Sequence, residues 1–254
     1  MHIIPLRAFQ DNYIWVVHNE TSALVVDPGE AAPVMRFVEN QGLELKAILI
    51  THHHGDHVGG LRILREKFSV PVYAPAREKI DGVDHWVEEG ASIAVPGLTS
   101  EGFAVLDVPG HTAGHVAYYG ENALFCGDTL FSAGCGRIFE GTAMQMFQSL
   151  AKLAALPGHT QVYCAHEYTL SNLHFSRLVD ANNIDRDHYA AHCEALCAMG
   201  QPTLPSSIAL ERDINPFLRC DEVGVIAAVA KHFESIPEDA ADCFAMLREW
   251  KNQV

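Results

Sequence analysis

The stretch that most constrains this chain is Ile48-Leu-Ile-Thr-His-His-His-Gly-Asp-His57. Ala47 to Ile50 is an apolar run that reads as a buried strand. The polar residues after it cannot enter a core without partners. Residues two apart in an extended segment point to the same side, so His52 and His54 can close on one ion while His53 points the other way. Gly55 lets the chain turn, and Asp56 and His57 then stand side by side where a helix begins. Neutral imidazole with carboxylate is the ligand set of zinc and its first-row neighbours. Four candidate ligands within one short loop exceed what a single closed tetrahedral site takes, which points to two adjacent ions. A purification tag would lie at a terminus and lack the preceding strand, so this internal H-x-H-x-D-H reads as a metal-binding loop.

The same device recurs along the chain: an apolar strand runs out into a histidine or a carboxylate. Phe103 to Val108 leads into Pro109-Gly-His-Thr-Ala-Gly-His115. There His111 is the better ligand, because Gly110 lets the backbone approach closely, and His115 reads as a packed or supporting histidine. Asn122 to Cys126 leads to Gly127-Asp128, and Gln161 to Cys164 leads to Ala165-His166-Glu-Tyr168. Ala23 to Val26 ends in Asp27-Pro-Gly29. Asp27 is equally a turn residue or a carboxylate orienting a ligand imidazole. Strands are also expected at 3–6 and 13–17, and helices at 31–41, 58–68 and 142–156, the last capped by Thr142. After Thr169 the texture changes. Helices are expected at 170–180, 187–199, 222–233 and 239–251, no strand is evident, and Asp213-Ile-Asn-Pro-Phe217 forms an irregular link. The expected division is therefore a catalytic domain over 1–168 and a helical domain over 169–254.

Composition narrows the partners. With 254 residues there is ample core for one large or two small domains. A formal net charge of −15 opposes general affinity for nucleic acid or an anionic membrane. No apolar run approaches the ~20 residues that span a bilayer, and Met1-His-Ile-Ile-Pro-Leu-Arg7 lacks the features of a signal peptide. A cytoplasmic protein is expected. The seven cysteines are scattered without a C-x-x-C pair, as expected of reduced, packed thiols. An anionic substrate would need local positive charge from metals and a few Arg or Lys.

Taken together, Thr51-His-His-His-Gly-Asp-His57, Gly110-His111, Gly127-Asp128 and Ala165-His166-Glu-Tyr168 resemble the metallo-β-lactamase superfamily. Within it the chain is similar to the glyoxalase II (hydroxyacylglutathione hydrolase) family. The residues that carry this are Asp11-Asn-Tyr-Ile14, Asp128-Thr-Leu-Phe131, Gly134-Cys-Gly-Arg137, Phe139-Glu-Gly-Thr142, Cys164-Ala-His-Glu-Tyr-Thr169 and Asn215-Pro-Phe217. The resemblance implies an α+β fold, a four-layer αββα metallo-β-lactamase sandwich with a C-terminal all-α domain. It also implies two divalent metal ions, zinc first with iron or manganese as alternatives. His52, His54 and His111 would hold one ion and Asp56, His57 and His166 the other, with Asp128 and a water or hydroxide bridging.

The implied reaction is hydrolysis of S-D-lactoylglutathione and other 2-hydroxyacylglutathiones to glutathione and D-lactate, the second step of methylglyoxal detoxification, by attack of the bridging hydroxide. Asp56 would help orient that hydroxide. Arg137, Phe139, Tyr168, Arg248 and Lys251 fall where the family binds glutathione. Some members have Tyr where this chain has Phe139, which removes one hydroxyl contact. Arg248 and Lys251 are three apart and so share a helical face. The expected partner is a small glutathione thioester, bound by a monomer. An RNA-processing nuclease of the superfamily would need a basic surface, a β-lactamase would normally carry Cys in place of Asp128 or an altered first loop, and a persulfide dioxygenase would need fewer ligands. A non-catalytic metal scaffold would need a closed ligand set, whereas this one leaves room for solvent.

Overall fold

A computed structural model describes residues 1–254. The chain divides into two compact units, Met1–Asp107 with Ala113–Gly127, and Val108–Thr112 with Asp128–Val254. The first unit holds β1 (His2–Ala8), β2 (Asn12–His18), β3 (Ser22–Val26), α1 (Ala31–Gln41), β4 (Glu44–Leu49), α2 (Gly55–Val58), α3 (Leu61–Phe68), β5 (Val72–Pro75), β6 (His85–Val87), β7 (Ser92–Ile93), β8 (Phe103–Asp107), β9 (Val116–Gly120) and β10 (Ala123–Gly127). The second holds β11 (Leu130–Phe131), β12 (Gly134–Cys135), α4 (Ala143–Ala154), β13 (Gln161–Cys164), α5 (Thr169–Val179), α6 (Ile184–Ala198), β14 (Ser206–Ser207), α7 (Ile208–Ile214), α8 (Val223–Phe233) and α9 (Ala240–Asn252).

The strands form two six-stranded sheets, ordered β1-β2-β3-β4-β5-β6 and β14-β13-β10-β9-β8-β7, and a small β11-β12 hairpin. Two mixed sheets flanked by helices, with a helical C-terminal segment, make the α+β sandwich expected from sequence. In the first sheet β1-β2-β3 are antiparallel and β3-β4-β5-β6 parallel. Helices α1 and α3 are the crossovers that parallel pairing requires. Burial on both faces explains why β3 and β4 are near-continuous apolar runs rather than alternating ones: Leu24, Val25, Ile48 and Leu49 are completely buried. Helix α1 ends at Gly42, whose φ of 64° lets its N–H and that of Leu43 return to the Glu39 and Val38 carbonyls.

Two local features depart from the sequence expectation. The helix expected over 58–68 is broken into α2 and α3 at Gly59-Gly60, because the Pro28 carbonyl accepts from the Gly60 N–H and would lie 2.5 Å from any Cβ there. Where no strand was expected after Thr169, Ser206–Ser207 forms β14, paired with Gln161 and Val162, and α7, capped by the Ser207 hydroxyl, runs into the start of the Asp213–Phe217 link expected to be irregular. A two-residue strand has no period to read, and a seven-residue helix is too short for a 3.6-residue pattern. In the second unit α4 begins with a reciprocal Thr142–Gln145 capping box. Its core includes stacked Phe175 and Phe217, with Phe244 edge-on to Phe217. The division expected at 168 follows the change from strands to helices, whereas compaction groups residues 128–168 with the helical segment. No helix is long and apolar enough to cross a membrane.

Candidate metal centre

In the first unit the loop leaving β4 carries His52, His54, Asp56 and His57. Its entry is fixed by Thr51: the Thr51 N–H and hydroxyl donate to Asp27 at 2.7 Å each, and the Thr51 carbonyl accepts from Val116 N–H. The neighbouring Ile50 carbonyl accepts from the Tyr118 hydroxyl at 2.6 Å. Asp27 also lies 3.0 Å from Nδ1 of His57, while Nε2 of His57 lies 3.5 Å from Asp56. The Asp27 carboxylate thus stands within ion-pair distance behind Nδ1, while Nε2 is turned to the Asp56 side. The Thr51 hydroxyl, having donated to Asp27, accepts from His52 Nδ1 at 3.1 Å and leaves Nε2 as the base. That nitrogen faces His54 Nδ1 at 3.0 Å. Asp27 is therefore both readings left open by the sequence, a turn residue with φ of 51° and the carboxylate that orients the ligand loop.

Two further groups in this unit, Asn12 and Glu78, were not assigned roles from sequence, and His115 takes the supporting place expected of it. The Asn12 amide donates to Asp56 Oδ2 at 2.9 Å; sequence offered Asn12 only as part of a motif. Glu78 holds the loop from behind, accepting from the Gly114 N–H at 3.0 Å and the His53 N–H at 3.2 Å and pairing with the His53 ring. His53 thus turns to Glu78, with its ring edge-on to that of His54 at 5.0 Å. His115 stacks on His52 with centroids 4.6 Å apart, a supporting role. Gly29 is obligatory, since a Cβ would fall 1.8 Å from the Asp56 carbonyl oxygen.

In the second unit His111, Asp128 and His166 come together. Nε2 of His111 and Nε2 of His166 each lie 3.4 Å from the same oxygen of Asp128. All three side chains are buried. His111 Nδ1 donates to the Arg137 carbonyl at 2.7 Å, which again leaves Nε2 as the base. The turn that presents His111 is tight: Phe139 N–H donates to its carbonyl, and Gly110, with φ of 152°, lies where a Cβ would strike Met146. The ring of His166 stacks on Tyr168 at 4.7 Å and 6°.

The residues expected to contact substrate all lie in this unit. Arg137 is exposed, with its guanidinium over the exposed Phe139 ring at 5.6 Å. Arg248 and Lys251 share the last turns of α9, as their spacing predicts, but not the same fate. Arg248 is 7% exposed; it donates to the Cys135 carbonyl at 2.9 Å and lies over Phe217. The Lys251 ammonium sits over Phe175 and reaches the Ser171 carbonyl at 3.4 Å. Burial, with the Arg248 charge nearby, holds the Lys251 pKa below the ordinary lysine value.

The donor set fits metal ions. Two nitrogens on one tetrahedral zinc at ~2.0–2.1 Å lie roughly 3.3 Å apart. The separations of 3.0, 3.4, 3.4 and 3.5 Å within the two half-sets bracket that value. The family fold and these histidine and aspartate clusters fit a binuclear metal site.

Comparison with known proteins agrees. Residues 7–166 match the model of the metallo-β-lactamase superfamily, and residues 167–254 match that of the hydroxyacylglutathione hydrolase C-terminus. A hydroxyacylglutathione hydrolase of Nitrosomonas eutropha is 53% identical over 98% of both chains. Among solved structures, the BLEG-1 B3 metallo-β-lactamase is similar with a TM-score of 0.62 at 26% identity, covering 85% of this chain and 98% of that one. TTHA1623, in a di-iron-bound form, has a TM-score of 0.59 at 27% identity, covering 86% and 100%. A match to both family models and to full-length relatives at this identity places the chain in the hydroxyacylglutathione hydrolase family of the metallo-β-lactamase superfamily.

Proposed function

We propose that this chain hydrolyses 2-hydroxyacyl thioesters of glutathione, S-D-lactoylglutathione foremost, to glutathione and the free hydroxy acid. The observation that carries the reading is the C-terminal segment. Residues 167–254 match the hydrolase-specific tail and bring cationic Arg248 and Lys251 into the same compact unit as Arg137 and Tyr168. Two cations and a third at Arg137 suit a tripeptide with two carboxylates, in a chain whose net charge is otherwise −15. Arg248, spent on Cys135, would act through its field, and Lys251 and Arg137 by direct contact.

In the family's grouping, His52, His54 and His111 hold one divalent ion, Asp56, His57 and His166 the other, and Asp128 is shared. The shared role is supported by one Asp128 oxygen facing a histidine from each group at 3.4 Å. Bound there, the ions would supply Lewis acidity, bringing the pKa of coordinated water toward ~7 and taking up charge on the thioester carbonyl oxygen. The chain's own residues do the rest. Thr51, held by Asp27, and the Arg137 carbonyl fix imidazole tautomers, so the ligand nitrogens are ready without reorganisation. Asn12 holds Asp56 Oδ2, leaving the other carboxylate oxygen to orient the attacking hydroxide. A thiolate is a good leaving group, so no strong general acid is needed. Zinc is the first choice of ion, and the relative described as di-iron-bound keeps iron in play. The chain is read as a monomer, and as cytoplasmic in keeping with seven cysteines that form no disulfide, six of them buried.

The test is hydrolysis of S-D-lactoylglutathione by the purified protein, with metal content measured on the same sample. Turnover with about two ions per chain supports site and substrate together. Two ions without turnover would keep the site and discard the substrate.

A further inference from the structure

The β11–β12 hairpin is unusual in how its backbone is satisfied. It is a two-residue turn, Ser132-Ala133, between pairs Leu130–Cys135 and Phe131–Gly134. Ala133 has φ of 54°, a conformation that costs a non-glycine residue about 1 kcal/mol or more. The hairpin is fully buried, so every outward backbone group needs a partner inside the protein. Side chains from the helical segment supply them. Ala133 N–H donates to Glu211 Oε2 at 2.9 Å. The Asn215 amide donates to the Phe131 and Gly134 carbonyls, at 3.1 and 2.9 Å, and to the same Glu211 oxygen at 3.0 Å. Asn172 donates to the Ser132 carbonyl, and Arg248 to that of Cys135. Glu211 and Asn215 are both wholly inaccessible to solvent.

What this cradle holds in place is chemically relevant. The hairpin runs directly into Gly136-Arg137. Gly136 has no room for a side chain, since a Cβ would fall 1.8 Å from the Asp128 carbonyl oxygen, and its N–H is held by the Thr129 carbonyl. The next residue presents the exposed Arg137 guanidinium, while its carbonyl orients His111. A buried carboxylate and a buried amide on α7 thus set the base from which an anion-binding arginine emerges. Burial raises the Glu211 carboxyl above the ordinary carboxylate range, opposed by its hydrogen-bond donors. Glu211→Gln keeps an oxygen acceptor of the same shape for the Ala133 N–H and the Asn215 amide.

We propose that Glu211 and Asn215 are positioning residues for substrate: by clamping the β11–β12 hairpin they place Arg137 to receive the charged peptide portion of the glutathione thioester. The inference rests on the hydrolase reading above. The Arg137 carbonyl also holds His111 Nδ1 and Phe139 N–H holds the His111 carbonyl, so a displaced hairpin disturbs one metal ligand as well, and the role in peptide binding is read from the excess loss on a substrate that carries the peptide charges.

The experiment compares two substrates with the same acyl group, S-D-lactoylglutathione and S-D-lactoyl-N-acetylcysteamine, which lacks the tripeptide's charges. In metal-loaded Glu211→Leu and Asn215→Ala, KM for the glutathione thioester should rise at least fivefold. At equal metal content, hydrolysis of the small thioester should be affected at least threefold less than that of the glutathione thioester. Glu211→Gln, which keeps an acceptor for Ala133 and Asn215, should restore the wild-type KM. Glu211→Asp, one methylene short, should fall between, and it carries the test if the leucine variant does not fold. Equal losses on both substrates, or no change in KM in the variants that fold, overturn the inference. Failure of the wild-type protein to hydrolyse either thioester would instead discard the hydrolase reading.

Discussion

The carboxylate of Asp27 lies 3.0 Å from Nδ1 of His57 and, through the Thr51 hydroxyl, also governs Nδ1 of His52. One buried side chain therefore stands behind two imidazoles that belong to different ions in the proposed grouping. Asp27→Asn keeps the size and tolerates the left-handed backbone, but it no longer supplies an anionic acceptor. Metal affinity should fall ten- to a hundredfold, the usual cost of losing a group behind a ligand histidine. Competition against a chromophoric chelator measures it, and unchanged affinity would reduce Asp27 to a turn residue.

Asp128→Asn should lower metal content and turnover together, because its carboxylate faces a histidine of each group. Elemental analysis alongside kcat decides. Full metal occupancy with full activity would refute the bridging assignment.

Lys251 gives a pH prediction. Its pKa is lowered by burial and by Arg248, so the ammonium is charged below that depressed value and neutral above it. Its contribution to binding an anionic substrate is present at neutral pH and is lost as pH rises, earlier than an ordinary lysine would allow. KM for the glutathione thioester should rise on the alkaline side, and Lys251→Ala should raise KM about tenfold (~1.4 kcal/mol) at neutral pH and abolish that rise. A pH-independent KM in the wild type would mean that Lys251 does not touch substrate.

Thr142→Ala removes the N-cap of α4 and half of its capping box. The expected cost is about 1 kcal/mol, or roughly 2–4 °C in Tm for a chain of this size. Calorimetry on the metal-loaded protein tests this, with kcat expected to hold.

Much of this was legible because the ligands sit at the ends of strands. An apolar run that stops in histidine or aspartate announces both the element and the exposed tip, as at His52, His111, Asp128 and His166. The expected bounds of α1 and β13 match those observed, because Gly42 and the flanking turns punctuate them. What stayed hidden is pairing at long sequence separation. Glu78 has no local feature that marks it as the partner of His53 and Gly114. Glu211 lies in a stretch given no element from sequence, and nothing marks it until α7 is found buried against the hairpin. Arg248 shared its helical face with Lys251 in the sequence pattern, yet only packing could show that one turns inward to Cys135.

The cradle around the β11–β12 hairpin also fixes an order in time. Residues 131–135 leave the ribosome 78 to 113 positions before Glu211, Asn215 and Arg248, the separations of the bonds that complete them. At synthesis rates of about 5–20 residues per second, that interval is roughly 4–20 s. During it the Phe131, Gly134 and Cys135 carbonyls lack the Asn215 and Arg248 donors, while the Ser132 carbonyl can already meet Asn172. The substrate-facing loop is thus among the last parts of the molecule to mature, and a nascent chain arrested before α7 would carry its metal ligands without the floor that aims Arg137.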